Sequence, residues 1–162
     1  MRSSSEYSIA LGGTASSGGS QQLWTLGEAF FARHEGLVHG GHGRAQAEWR
    51  STGSGRWQLK LSVEASVTVS CDRCLADMQV AVAGEDTMPV CAGEAFGDDG
   101  ETLVVDRRTL QLPVEHLLHE LVELSLPYRL CHEEGQCDAS VWRSDMADGG
   151  DAPPASPERP RE

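Results

Sequence analysis

The chain has 162 residues, 39% of them hydrophobic, and a formal net charge of −12 from 25 acids against 13 bases. That length suits one domain with tails, that apolar share supports a real core, and that acidity excludes an overall field steering the protein to bare nucleic acid. No run approaches the ~18 apolar residues of a membrane span, and the opening MRSSSEYSIALGG has no apolar core of a secretory leader, so a soluble cytoplasmic protein is expected.

In chain order, EYSIAL (Glu6 to Leu11) reads as a first strand and GGTASSGGSQQ as a flexible loop. TLGEAFFARH predicts a short helix with Leu26, Ala29, Phe30 and Arg33 at helical spacing. Thr25 and Glu28 are spaced as a capping box at its start. GLVHGGHG (Gly36 to Gly43) reads as a second loop. RAQAEWR then alternates, with Ala45, Ala47 and Trp49 on one face, and STGSG is a turn. From Trp57 the alternation is long: Trp57, Leu59, Leu61, Val63, Ala65, Val67 and Val69 on one face, polar residues on the other. Period two over that length predicts an antiparallel strand buried on one side, with a bend or bulge near Ala65.

MQVAVAGE places Met78, Val80 and Val82 on one face and is expected to pair with Val67 to Ser70. AGEAFGDDGE reads as an acidic loop and TLVV as a short strand. PVEHLLHELVELSLP is the clearest helix, with an apolar stripe of Val114, Leu117, Leu118, Leu121 and Val122, Pro113 in its first position and Pro127 as its stop. The expected fold is α+β: a twisted antiparallel β-sheet or partly open barrel with two packing helices. One domain is expected over residues 1–143, followed by a disordered acidic Pro/Gly-rich tail at 144–162.

Five cysteines, an odd number, argue against a secreted disulfide framework. Cys71-Asp72-Arg73-Cys74 lies where one strand ends and its antiparallel partner begins. A reversal with Cys-x-x-Cys at its tip turns both sulfurs inward, as half of a tetrahedral zinc site requires. A second half is offered by LCHEEGQC, where Cys137 with His132, or with Cys131 in its place, completes four ligands. Two other readings stay open on the residues alone: metal-free structural thiols, and a redox pair. The redox reading lacks the helix N-terminus that lowers a thiol pKa, and Asp72 is expected to oppose thiolate formation. Cys91 is read as structural. His34, His39 and His42 are expected in solvent beside Gly-rich loop. His116 and His119 lie three apart on the last helix and are expected on its flank rather than as a metal pair.

Catalytic patterns are missing: no Gly-x-Ser-x-Gly, no phosphate-cradling glycine loop with Lys, no His-Glu-x-x-His. Glu120 and Glu123 read as a solvated helix face. A protein without enzyme chemistry is expected, with no small-molecule substrate.

Two blocks, SVEASVTVSCDRCL and LLHELVELSLPYRLCHEEGQCD, together resemble the YceD family, the large ribosomal RNA subunit accumulation proteins of bacteria and plastids. The resemblance rests on Cys71, Arg73, Cys74, Leu126, Pro127, His132 and Cys137, and covers roughly Tyr7 to Val141 in element order. Pro113 stands where relatives often carry an Asp or Asn cap, and Ala65 where they often carry glycine. The resemblance implies a role in synthesis, processing or stability of large-subunit (23S) ribosomal RNA. It also favours Cys71, Cys74, His132 and Cys137 as the ligands of a structural zinc. The partners then expected are ribosomal RNA or ribosomal proteins of the large subunit. Arg50, Arg56, Lys60 and Arg73 are candidate contacts to phosphate or partner, and the acidic loop Glu94 to Glu101 is a candidate contact to basic ribosomal proteins. Trp49 and Trp57 fall on the apolar face and are expected in the core.

Overall fold

The computed structural model describes residues 6–12, 19–94, 96–133 and 137. The proposed domain boundary at residue 143, the tail at 144–162 and most of the first loop lie outside the described residues.

The long alternation does form one strand, β4 (Arg56–Ser70), and all seven of its apolar positions from Trp57 to Val69 are buried. It is central to a six-stranded sheet in the order β2-β3-β4-β5-β7-β6. The members are β2 (Ser20–Leu26), β3 (Val38–Gly53), β5 (Asp77–Gly93), β6 (Gly97–Asp98) and β7 (Leu103–Asp106). Strands β1 (Ser8–Ala10) and β8 (Gln111–Pro113) form a separate antiparallel pair. The large sheet is twisted and mixed, and it does not close into a barrel: β5 and β7 run parallel, the other pairs antiparallel.

Strand β4 runs in unbroken register with β5 from Arg56↔Cys91 to Ser70↔Asp77, so no bulge forms at Ala65. The irregularity near that end lies in β3 instead, between Val38 and Gly40. The segment GLVHGGHG is correspondingly not a loop; from Val38 onward it is the first half of β3. Its glycines are required by close approach. Gly41 has φ +144, and a Cβ there would sit 2.6 Å from the Ser66 carbonyl. A Cβ on Gly43 would sit 2.5 Å from the Ala65 Cβ and 2.6 Å from the Ala65 Cα. A side chain at either place would push two hydrogen-bonded strands apart.

Both helices cover the apolar face. The first, α1 (Glu28–Ala32), is shorter than predicted, because Thr25 and Leu26 belong to β2 and Gly27 occupies the N-cap without a side-chain bond. It buries Phe30 and Phe31. The second, α2 (Glu115–Leu124), starts after Pro113, which belongs to β8, with Val114 at the N-cap. Leu117, Leu118, Leu121 and Val122 face the core as predicted. Trp49 and Trp57 are buried as expected.

Two histidines depart from expectation. His119 is buried, and its ring stacks on that of His34 with centroids 4.3 Å apart, next to Phe30. His34 Nε2 lies 3.4 Å from Glu115 Oε1. Burial lowers the His119 pKa, with His34 and His116 adding to the shift and Glu123 opposing it. Well above pH 6.5, the ordinary value, folded and unfolded chains both hold this imidazole neutral. Below it the unfolded chain protonates first, so stability declines as pH falls from 6.5 to the lowered folded value. His119→Leu is expected to flatten that decline, measured as the difference in midpoint temperature between about pH 7.5 and about pH 5.5. An unchanged difference would place the acid sensitivity elsewhere.

Candidate metal centre

Strand β4 delivers Cys71 at its end, and the chain reverses through Asp72-Arg73-Cys74 before β5 begins. The reversal is held by two backbone bonds, Cys71 N–H to the Ala76 carbonyl and Leu75 N–H to the Cys71 carbonyl, each 2.9 Å. Leu75 takes a left-handed φ of 63 to close it, and its side chain is exposed. Both sulfurs point inward and are buried.

The second half arrives after α2. Ser125 packs on Gly84, in the space a side chain there would fill. Asp72 then clamps the descending chain at two points. Its N–H donates to the Leu130 carbonyl at 2.6 Å, and its Oδ2 accepts from the Leu130 N–H at 3.1 Å. His132 is only two residues beyond this clamp, so its ring is delivered to the Cys turn. Asp72 therefore has a positional role that sequence alone did not suggest; a carboxylate inside Cys-x-x-Cys, free to bond a passing N–H, was the available signal.

One ligand atom from each of Cys71, Cys74, His132 and Cys137 lies within 4.8 Å of every other. Cys71 Sγ is 3.9 Å from Cys137 Sγ, and Cys74 Sγ is 3.4 Å from His132 Nδ1. Bond lengths of ~2.3 Å to sulfur and ~2.0 Å to nitrogen give tetrahedron edges of ~3.8 Å between sulfurs and ~3.5 Å between sulfur and nitrogen. Those two separations match the edges of a zinc tetrahedron, the remaining ones lie within 4.8 Å, and three thiols with one imidazole are a donor set such a metal accepts. The sulfur separation also excludes a disulfide between Cys71 and Cys137 in this structure. Cys131, the alternative fourth ligand, is outside the group.

The electrostatics favour a cation. Burial pushes the Cys71 thiol up, but backbone N–H groups of Cys74, His132 and Arg73 and the His132 ring outweigh it, bringing the thiol down to about 5. The Arg73 N–H donates to Cys71 Sγ at 3.4 Å. The expectation that Asp72 would oppose thiolate formation is not met: the Cys71 thiol is lowered, and Asp72 is not among the groups that shift it. Cys137 is pushed up, first by burial and then by its two cysteine neighbours. A cation among the three sulfurs would reverse that repulsion. Such an ion would cross-link the β4–β5 turn to the chain that follows α2.

Of the candidate contact residues, Arg50, Arg56 and Lys60 are neighbours on the outward face at one end of the β3–β4 ladder, and Arg73 lies beyond the other end. Arg50 donates to Gln58 Oε1, at 2.7 Å from its Nη2, and Lys60 pairs with Glu85 at 3.0 Å, both on the solvent face of the sheet. Arg56 opens β4 and Arg73 follows its end, roughly 50 Å apart along the strand. In the acidic loop, Asp99 accepts from the N–H groups of Glu101 and Thr102, and Asp98 from that of Gly100. Those carboxylates shape their own turn as well as facing solvent. Among the described residues no helix is long and apolar enough to cross a membrane.

Comparison with protein-family models, with curated proteins and with solved structures finds no match for this chain. The functional reading rests on the residues and their geometry.

Proposed function

We propose that this protein is a non-enzymatic factor supporting synthesis, processing or stability of large-subunit (23S) ribosomal RNA, working in the cytoplasm with a structural zinc. The observation that carries the reading is the meeting of two blocks. The Cys-x-Arg-Cys turn and the Leu-Pro-x₄-His-x₄-Cys segment resemble the YceD pattern only in combination, and their Cys and His residues belong to one four-ligand cluster. Ribosomal RNA or proteins of the large subunit are the partners under this reading. Arg50 and Lys60 are already paired within the fold. That leaves Arg56 and Arg73, at the two ends of β4, as the more available of the four cations.

A second reading, a thiol-redox protein, is favoured by one observation, the Cys71 thiol held at about 5. It lacks a helix N-terminus at the Cys turn, where thiol-disulfide catalysts place their nucleophile. Sedimentation of ribosomal particles from cells carrying the tagged protein separates the two. Cosedimentation with a large-subunit precursor at low salt, together with lowered 23S RNA in a null strain, is expected. Absence from every ribosomal fraction at low salt, with a reversible Cys71–Cys74 disulfide in the purified protein, would replace the RNA reading with the redox one.

A further inference from the structure

One edge of strand β5 is unpaired over most of its length among the described residues. The strand bonds β4 from Asp77 to Cys91, but β7 joins its other edge only over Val90 to Gly93. From Asp77 to Pro89 the second edge is open, and no backbone bond to another segment is made there. Exposure agrees. The apolar-face residues of β4 are all buried, whereas Met78 and Val80, their counterparts on β5, are half-buried, and the outward Gln79, Ala81 and Ala83 are exposed. Pro89 is the only residue of the strand that cannot donate, and it stands just before β7 joins. The segment Asp77 to Glu85 has neither the Pro nor the Lys that usually blunts a sheet edge.

We infer that this edge is a docking site for an extended basic peptide segment of a partner protein, which adds to the sheet as a strand beside β5. The inference goes beyond the RNA reading and does not depend on it. Charge selects the occupant. From Cys74 to Asp106 the chain carries eight acids and no Lys or Arg. Asp77 opens the stretch and Glu85 and Asp86 lie within it; Asp77 is shared with His39 and Glu85 with Lys60, yet each of those two carboxylates stays 68% exposed, and Asp86 adds a third exposed acid. A second copy is the poorer fit: antiparallel self-pairing centred on Ala81 would set Asp77 against Glu85 twice, like charge opposite like charge. RNA is repelled by the same acids and offers no ladder of amide groups. An added strand would satisfy the free N–H and C=O groups of β5. Its inward residues would cover Met78 and Val80, and its outward residues would meet Asp77 and Glu85. The fitting sequence therefore alternates apolar and basic residues with period two.

The test uses the full chain and two synthetic peptides of about nine residues with alternating Lys and Val, long enough to lie along Asp77 to Glu85. One is N-methylated at alternate backbone positions, which removes ladder donors and keeps the charge. The unmodified peptide is expected to bind, with amide chemical-shift changes concentrated in β5. The methylated peptide is expected to bind at least about tenfold more weakly. Equal binding of the two peptides, shifts away from β5, no binding, or a dimer joined through β5 that excludes the peptide would each overturn the inference. None of these outcomes bears on 23S RNA levels in the null strain, so this site and the RNA reading fail separately.

Discussion

Replacing Cys74 with Ser is expected to lower zinc affinity about a thousandfold or more, since one of four ligands is lost from a site whose full binding energy is on the order of 10 kcal/mol. The sheet should survive. Its core is built from β1 to β5, β7, β8 and the two helices, none of which carries a ligand of the ion. The segment after Leu130 should loosen, because Leu130 itself is buried in the core and clamped by Asp72, whereas beyond it the described ties to the β4–β5 turn are the ligands themselves. Hydrogen exchange should therefore accelerate around residues 131–133 and 71–76 and stay unchanged in β3. Asp72→Ala keeps all four ligands but removes the acceptor for the Leu130 N–H. Its expected loss is about 10- to 100-fold in zinc affinity, the usual cost of an outer-shell partner. Competition with a chromophoric chelator measures both. A Cys74→Ser protein that binds zinc as tightly as the parent would remove Cys74 from the site.

The second large effect is expected in the middle of the sheet. Gly43→Val would drive a side chain into the Glu64 carbonyl and Ala65, which belong to backbone already committed to the ladder with β3. Neither strand can retreat without losing hydrogen bonds, so a cost of about 3 kcal/mol is expected. Gly53→Ala is the control, since a Cβ there meets nothing within 4 Å. Urea unfolding separates them. Equal midpoints for the two variants would mean that β3 and β4 do not approach as closely as described.

The same pair of residues explains what sequence could and could not disclose. Strand β4 was legible because one face is buried throughout, which writes period two directly into the residues. The first half of β3 was not. Its Gly and His content imitates a loop, while the cause lies across the ladder, where Ala65, Val67 and Phe31 leave no room for side chains. Pro113 looked like a helix start because helices accept Pro there, but the β1–β8 pair claimed it first. The capping box at Thr25 failed for a similar reason, since pairing with Arg44 extends β2 through Thr25. Beyond Glu85, β5 lacks strand-like composition and is held mainly by its register on β4. The two metal half-sites were readable as Cys and His spacings. Their meeting was not, because it depends on Ser125 seating on Gly84 and on Asp72 holding Leu130, contacts between residues far apart in the chain. The His34–His119 stack escaped notice for want of any local pattern joining α1 to α2.

The most direct test of the shared ion is a thiol titration of the zinc-loaded full chain, run with and without a strong chelator. Three of the five thiols, Cys71, Cys74 and Cys137, should be masked until the chelator is added, while Cys91 and Cys131 react at once. Native mass spectrometry of the same sample should show one zinc per chain. A zinc-free chain whose five thiols react alike in both samples would contradict the centre described here.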